Sequence, residues 1–168
     1  ASRARPDGTI ALGTGEVGRA GVGPKAALVD EAAAVGLAVP AGFVVPDGVD
    51  APTSIHRWAQ ATAATAVAVR SAFAAEDGAD ESLAGWFSTE LWVRPDAVAA
   101  AVERVRASAA VRPGRFRRDV LVMAMVDAVC AGVAFSEPGT YDDVVNVTPG
   151  TADRLVAGEE PGARLLVP

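Results

Sequence analysis

The sequence predicts an α+β, or mixed α/β, fold. Helical periodicity appears in two segments, residues 24–35 and 95–109. The second half of the chain instead holds short apolar runs separated by turn signals, which is the pattern of a sheet. Helices that precede a sheet-rich half are typical of α+β organisation. With 168 residues the chain has the size of one ordinary domain or of two small lobes.

Local signals define the elements of the first half. Residues 1–8 read as a flexible tail, and the glycine-dense stretch 13–23 predicts a loop. Pro24 and Gly36 bracket the first long helix, because proline suits the first helical turn and glycine the position after the last. The other elements predicted here are a strand at 9–12, a strand at 42–45, a turn at 47–52 and a helix at 54–64.

The second half is predicted to be mainly strands around one helix. A strand at 66–71 ends in a charged residue and is followed by a polar loop at 72–81. Residues 83–93 are aromatic and β-branched enough for a strand or a hairpin. The helix at 95–109 begins near a proline and repeats apolar residues at helical spacing. The closing strands are 120–126, 131–135, 144–147 and 164–167.

Composition restricts the function classes. The net charge of −6 argues against non-specific nucleic-acid binding, which relies on clustered positive charge. No apolar run has the length of a membrane span, and the N-terminus lacks the apolar core of a signal peptide, so we expect a cytoplasmic protein without a membrane partner. The lone Cys130 is expected to be a small buried hydrophobe, and one cysteine with one histidine cannot build a structural zinc site.

Lys25 is the only lysine among fifteen basic residues, and it stands between a glycine-rich stretch and the first long helix. Helix N-termini offer backbone N–H groups and a partial positive charge, which suit phosphate. The alternative is an ordinary surface lysine. Arg70, at the end of an apolar strand, presents a bidentate cation suited to phosphate oxygens at the edge of a sheet, or else forms a surface salt bridge.

The remaining motifs give weaker indications of function. Residues 13–18 fit G-x-G-x-x-G, but further glycines and a proline precede the helix that a dinucleotide site requires. The carboxylates at 76–77 and 80–81 fit either a metal site or a solvated acidic loop. His56 has no neighbours that indicate a catalytic role.

Three blocks of sequence, in order, resemble the nucleotide-binding domain of pyruvate phosphate dikinase, phosphoenolpyruvate synthase and rifampicin phosphotransferase, a domain of the ATP-grasp fold. Residues 23–28 with 35–45 are similar to the family's GGKGA-x-L…GLPVPPGFV. Residues 67–93 resemble VAVRSSATAED…SFAGQF…LNV, and residues 120–136 resemble VLVQ-x-MV…AGVAFT. The resemblance implies an antiparallel sheet with flanking helices in two lobes, 9–110 and 117–168, of one compact domain.

The resemblance also implies a site for ATP and Mg²⁺. Lys25 and Arg70 would hold the phosphates and serve catalysis. The residues that would bind the rest of the nucleotide are Met123, Met125, Val126 and Ser136. Asp153, helped by Glu137 or Glu159, would bind magnesium. The phosphohistidine or acceptor domain of the family would be supplied elsewhere, as a separate partner or domain.

The chain departs from the family pattern in and beside this site, and the apolar Leu165 falls near the position of the family's second polar metal ligand. Pro24 removes one N–H from the phosphate loop, Met123 replaces a glutamine, and Asp153 is shorter than the family's glutamate. Three hypotheses therefore stay open. The chain is an ATP-binding domain for phosphoryl transfer, a degenerate relative that binds nucleotide or a protein without turnover, or a scaffold without a ligand.

Overall fold

The computed structural model describes residues 5–73, 88–109, 116–136, 139 and 143–167. The chain divides into two units, unit 1 (Ala1–Met125) and unit 2 (Val126–Pro168). Unit 1 is built on a five-stranded sheet and unit 2 on a three-stranded sheet. Every strand pairing in both sheets is antiparallel, and helices flank them, so the predicted α+β class is confirmed.

Unit 1 contains most of the regular structure. Its strands lie in the order β1-β2-β5-β3-β4, which makes β5 the central strand. The strands are β1 (Ile10–Ala11), β2 (Gly42–Val45), β3 (Val67–Ser71), β4 (Thr89–Val93) and β5 (Val120–Ala124). The helices are α1 (Glu16–Arg19), α2 (Pro24–Ala34), α3 (His56–Thr62) and α4 (Val98–Ser108).

The sheet of unit 1 is covered on both faces. Alternate residues of its strands, such as Val69 and Val122, pack with Trp58 of α3 and Val102 of α4, and we call this side the α4 face. The intervening residues form a second core cluster, which we call the α2 face. Its members are Val44, Ala72 and Leu121 with Val17, Val22 and Ala26 from the α1–α2 region. Sheet position thus assigns each strand residue to one of two faces.

Helix α4 is fixed to its surroundings by charge as well as by apolar packing. Arg104 forms a bidentate ion pair with Glu90 of β4 (2.8 and 2.7 Å), and hydrogen bonding with this carboxylate raises the pKa of the guanidinium. The buried Arg106 donates to the carbonyl oxygens of Pro46 and Val49 (2.8 and 3.0 Å). The helix therefore holds both an edge strand and the turn after β2.

Unit 2 has little interior. Its sheet follows the order β6-β7-β8, with β6 (Cys130–Phe135), β7 (Asp143–Pro149) and β8 (Ala163–Val167), and a single helical turn, α5 (Asp153–Val156). Among its described residues only Thr148 is buried. Every residue of β8 is exposed.

The structure differs from the sequence prediction at several points. The stretch 13–23, expected to be all loop, contains α1. Cys130, expected inside, is exposed because it begins a strand of the thin second sheet. The strand β5, grouped by sequence with the C-terminal lobe, pairs with β2 and β3 and so lies in unit 1. The predicted strand residues 83–87 and both acidic pairs of the 72–81 loop lie outside the described residues.

Candidate functional site

Lys25 is exposed on the first turn of α2, as the sequence predicts. Gly23 is the N-cap and Pro24 the first helical residue, which has no N–H to offer an anion. The amides of Ala26 and Ala27 both donate to the Gly23 carbonyl oxygen (3.1 and 3.2 Å). This helix end therefore presents fewer amides than an ordinary N-terminus, and its attraction for an anion depends mainly on the Lys25 ammonium.

Gly23 fixes the position of that helix end. A Cβ atom on Gly23 would lie 2.6 Å from the Ala72 carbonyl oxygen and 2.7 Å from that of Phe73. Both contacts are with backbone, so no larger residue fits without moving the chain. Ala72 is two residues beyond Arg70, which corresponds to about 6.5 Å along a strand. The start of α2 thus packs at Gly23 against the segment that leaves β3, two residues before Lys25.

Arg70 is the exposed residue of an otherwise buried strand. It pairs with Leu121 of β5 on one side and Thr89 of β4 on the other, so it lies on an inner strand rather than on an edge strand. Since Ala72 and Leu121 belong to the α2 face, alternation places Arg70 on that face too, on the same side of the sheet as the helix of Lys25. The sequence predicts Arg70 at the edge of a sheet, whereas the structure places it on a face of the sheet.

Arg70 also differs from other arginines in its surroundings. Arg104 and Arg117 are neutralised by carboxylates of Glu90 and Asp119 at 2.7 and 2.8 Å. Within the described part of the chain, no ion pair involves Arg70. A surface salt bridge, the alternative that the sequence left open, is not found among these residues. As far as the described residues are concerned, no carboxylate neutralises the charge of Arg70.

The two methionines lie along the neighbouring strand. Met123 of β5 pairs with Ala68 of β3, is partly buried and packs on the α2 face. The Met125 amide donates to the Ala66 carbonyl oxygen (2.9 Å) just after β5 ends. Met125 is four residues beyond Leu121, the partner of Arg70, which gives a separation of about 13 Å along the strands. Arg70, Met123 and Met125 are thus arranged in series over a nucleotide-sized length.

The remaining predicted site residues belong to unit 2. Val126 is 53% exposed, Ser136 is exposed directly after β6, and Asp153 is the exposed first residue of α5. Glu137 lies outside the described residues. The carboxylate of Glu159 is 3.5 Å from the Arg154 guanidinium, so it is already partly neutralised.

The described residues contain no group of three or more histidine, cysteine or acidic side chains placed to hold a metal ion. Asp153 therefore offers one carboxylate. A single carboxylate does not make a protein-only cage, but it is compatible with Mg²⁺, which commonly takes one or two carboxylates and otherwise phosphate oxygens and water.

Backbone amides of the G-x-G-x-x-G stretch bind a side chain of the protein itself. The buried carboxylate of Asp30, on α2, accepts hydrogen bonds from the amides of Gly13, Thr14 and Val17 (2.7, 3.0 and 3.0 Å). Backbone amides that converge in this way form an anion-binding concavity. Because Asp30 accepts from these three converging amides, they are not available to the phosphates of a dinucleotide, in agreement with the expectation from the sequence.

His56 lies away from these residues. It is exposed at the start of α3 and lines a cleft of about 660 Å³ together with Arg5, Asp7 and Asp50. The cleft mixes both charge signs. Nothing in its lining supports a catalytic role for His56.

Three further residues of unit 1 are not singled out by the sequence. Gly23 fixes the start of the helix that carries Lys25, Asp30 holds the preceding loop, and Trp92 has a left-handed φ of 58°. A glycine directly before a helix-initiating proline is a weak sequence signal for the role of Gly23. The other two depend on contacts between distant residues or on one dihedral angle.

A known protein family matches most of the chain. The family model described as pyruvate phosphate dikinase, AMP/ATP-binding domain, matches residues 49–165, more than two thirds of the chain. Curated proteins gave no match. Arg70, the methionines and Asp153 fall within the matched range, whereas Lys25 precedes it. In addition, no helix among the described residues is long and apolar enough to cross a membrane.

Proposed function

This chain belongs to the family of pyruvate phosphate dikinase AMP/ATP-binding domains, and from that premise we propose that it is the ATP-binding domain of a phosphotransferase similar to phosphoenolpyruvate synthase and pyruvate phosphate dikinase. Membership of this family supports ATP as the ligand. The transferase activity, Mg²⁺, a cytoplasmic location and a phosphohistidine or acceptor domain supplied elsewhere are parts of the proposal.

The observation that carries the proposal is the close packing of Gly23 on the exit of β3. It brings the segment of Lys25 beside the strand of Arg70, on one face of the sheet. Phosphoryl transfer requires positioning and neutralisation of phosphate charge more than covalent chemistry from the protein. Two cations on one side of a sheet, with the Arg70 guanidinium able to bind two oxygens at once, meet that requirement.

The adenosine end of ATP would lie toward the end of β5. Met123 would provide an apolar wall, and the backbone around Met125 would meet the base edge. Val126 and Ser136 are proposed as further nucleotide contacts from the family resemblance alone. The amide of Met125 already donates to Ala66, so its carbonyl oxygen is the group proposed to read the base. The family resemblance alone proposes Asp153, with Glu137, as ligands of the Mg²⁺ that accompanies ATP.

A second candidate function is nucleotide binding without turnover. Among the described residues no group of three or more acidic, histidine or cysteine side chains is placed to hold a metal ion, and Met123 is apolar at the glutamine position; both observations favour it. A protein of this type would report ATP to a partner or hold a protein partner.

Thermal melts with and without Mg-ATP test the proposal. A ligand present at one hundred times its Kd adds about 2.7 kcal/mol to stability. That corresponds to a rise in Tm of about 5–10 °C for a chain of this size. Lys25→Ala and Arg70→Ala should each remove most of the rise. Arg57→Ala is a matched control, because Arg57 is an exposed arginine on α3, on the other side of the sheet, and should keep it.

Two results would contradict the proposal. A Tm unchanged by millimolar Mg-ATP would exclude an ATP-binding domain, and a rise that survives both substitutions would place the phosphates elsewhere. Hydrolysis of ATP by the isolated chain would then favour phosphotransfer, and binding without hydrolysis would favour the sensing function.

A further inference from the structure

We propose that Trp92 is a nucleobase-contacting residue, whose indole stacks on the base of the nucleotide that Lys25 and Arg70 hold by its phosphates. The inference rests on the proposed function and adds to it a contact that the family pattern lacks, since the matching position in the L-N-V block is asparagine. Three observations carry it: backbone conformation, exposure and sheet position.

The backbone at Trp92 is in the left-handed region, with φ of 58°. Bulky residues rarely adopt it, because Cβ approaches the neighbouring carbonyl, whereas glycine and asparagine tolerate it. The strand register explains the conformation. Val67 pairs with Val93 and Val69 with Glu90, so that Leu91 and Trp92 together oppose Ala68 in a β-bulge. A large side chain retained at such a position marks a candidate functional residue.

The indole is available to a ligand. Trp92 is 52% exposed, whereas the next residue, Val93, is 8% exposed and joins the core beneath α4. Trp92 is absent from that core cluster and from the aromatic pairs formed by the described residues. Packing in the core therefore does not fix the position of the indole ring.

The sheet position relates Trp92 to the proposed site. The bulge faces Ala68, which pairs on its other side with Met123 and lies two residues from Arg70 on β3. Neighbouring strands are about 4.8 Å apart and two residues span about 6.7 Å, so the backbone of Trp92 is about 8 Å from that of Arg70. A base carried by phosphates at Arg70 and lying along β3 toward Met125 would pass this bulge.

Stacking is the chemistry that fits. An indole offers a flat apolar face to any base, and such contacts tolerate base identity. The triphosphate would gain nothing from an uncharged ring. Replacing Trp92 should therefore weaken ligands that carry a base and leave the binding of inorganic polyphosphate unchanged.

Calorimetric titration of the full chain with Mg-ATP and with Mg-tripolyphosphate tests the proposal. Trp92→Asn should weaken Mg-ATP about 5- to 100-fold, the range found for the loss of one stacked base, and change tripolyphosphate affinity by less than about twofold. Trp92→Phe should keep most of the ATP affinity. Leu37→Asn, which removes another exposed apolar side chain of unit 1, should change neither affinity. Trp92→Asn should also raise Tm, because asparagine tolerates positive φ, and this shows that the variant is folded.

The outcomes are distinguishable. Loss of ATP affinity with a maintained or raised Tm and unchanged tripolyphosphate affinity supports the stacking role. If wild type binds ATP and Trp92→Asn binds it equally well, or loses both ligands equally, the role of Trp92 is overturned and the proposed function stands. If wild type binds neither ligand, both are overturned.

Discussion

Asp30 illustrates how one side chain decides what a motif does. Its carboxylate occupies the amides of the G-x-G-x-x-G loop, so the loop packs against α2 and is not a ligand site. The three bonds come from Gly13, Thr14 and Val17, residues 13 to 17 positions away. Hydrogen bonds to a buried charge are stronger than those between neutral groups. Asp30 therefore stabilises the entry to the helix that carries Lys25.

We predict that Asp30→Asn lowers the free energy of unfolding by about 2–4 kcal/mol, because the amide nitrogen of asparagine would face a backbone N–H that needs an acceptor. Urea unfolding followed by circular dichroism measures the change. Glu31→Gln is the control, since Glu31 is the exposed neighbour and its change should stay within about 0.5 kcal/mol. Equal effects of the two substitutions would show that the carboxylate of Asp30 is not what holds the loop.

At the scale of elements, helices and strands could largely be predicted from the sequence, because their periodicities are local. The strand at 42–45 and the helix that begins at Pro24 are found where expected, and Gly36 has the left-handed φ of 89° expected at a helix end. The order of strands could not be predicted from periodicity, because pairing joins residues far apart. β5, for example, lies between strands that precede it by about 50 and 80 residues.

In the candidate site, too, local features could be predicted from the sequence and long-range contacts could not. Residue type and position indicate Lys25 and Arg70 individually as candidates for phosphate binding, and the family resemblance, rather than a local pattern, places them in one predicted site. Their common face depends on the Gly23 contact with Ala72, which no local rule indicates. A strand pattern gives no sign of a positive φ, so the sequence does not single out Trp92. The prediction that Cys130 is buried is wrong because its apolar run belongs to a sheet without a deep core.

The contact between α2 and β3 gives a prediction at this scale. Gly23→Ala should cost about 1–3 kcal/mol of stability, because the new methyl group meets two backbone oxygens that no side-chain rotation relieves. It should also remove the rise in Tm with Mg-ATP, since Lys25 would shift away from the strand of Arg70.

Gly18→Ala is the matched control for that substitution. A Cβ on Gly18 would have ordinary contact with Ala27, at 3.8 Å, and Gly18 lies in helix α1 with no positive φ. Alanine there should be neutral or stabilising by up to about 1 kcal/mol. Retention of the Mg-ATP response by Gly23→Ala would mean that the α2 position is unimportant for binding.

For the whole molecule, the two units differ in how much they bury. Both apolar core clusters lie entirely in unit 1, and the buried hydrophobic residues among those described end at Val122. Unit 2 instead exposes large apolar side chains, including Phe135, Val156 and Leu166. Since burial of apolar surface supplies most of the driving force for folding, stability should be concentrated in the first unit.

Hydrogen exchange of the full chain, followed by mass spectrometry, should therefore find two classes of amides. Those of β2, β3 and β5 should exchange only through global unfolding, while those of β6, β7 and β8 should exchange through a smaller local opening and hence orders of magnitude faster. A chain truncated after Met125 should still unfold cooperatively, because it retains both core clusters. A peptide of Val126–Pro168 should lack stable structure, because so short a chain without a core cannot offset its conformational entropy. Equal protection in both sheets, or loss of cooperative unfolding on truncation, would show instead that unit 1 depends on unit 2 for its stability.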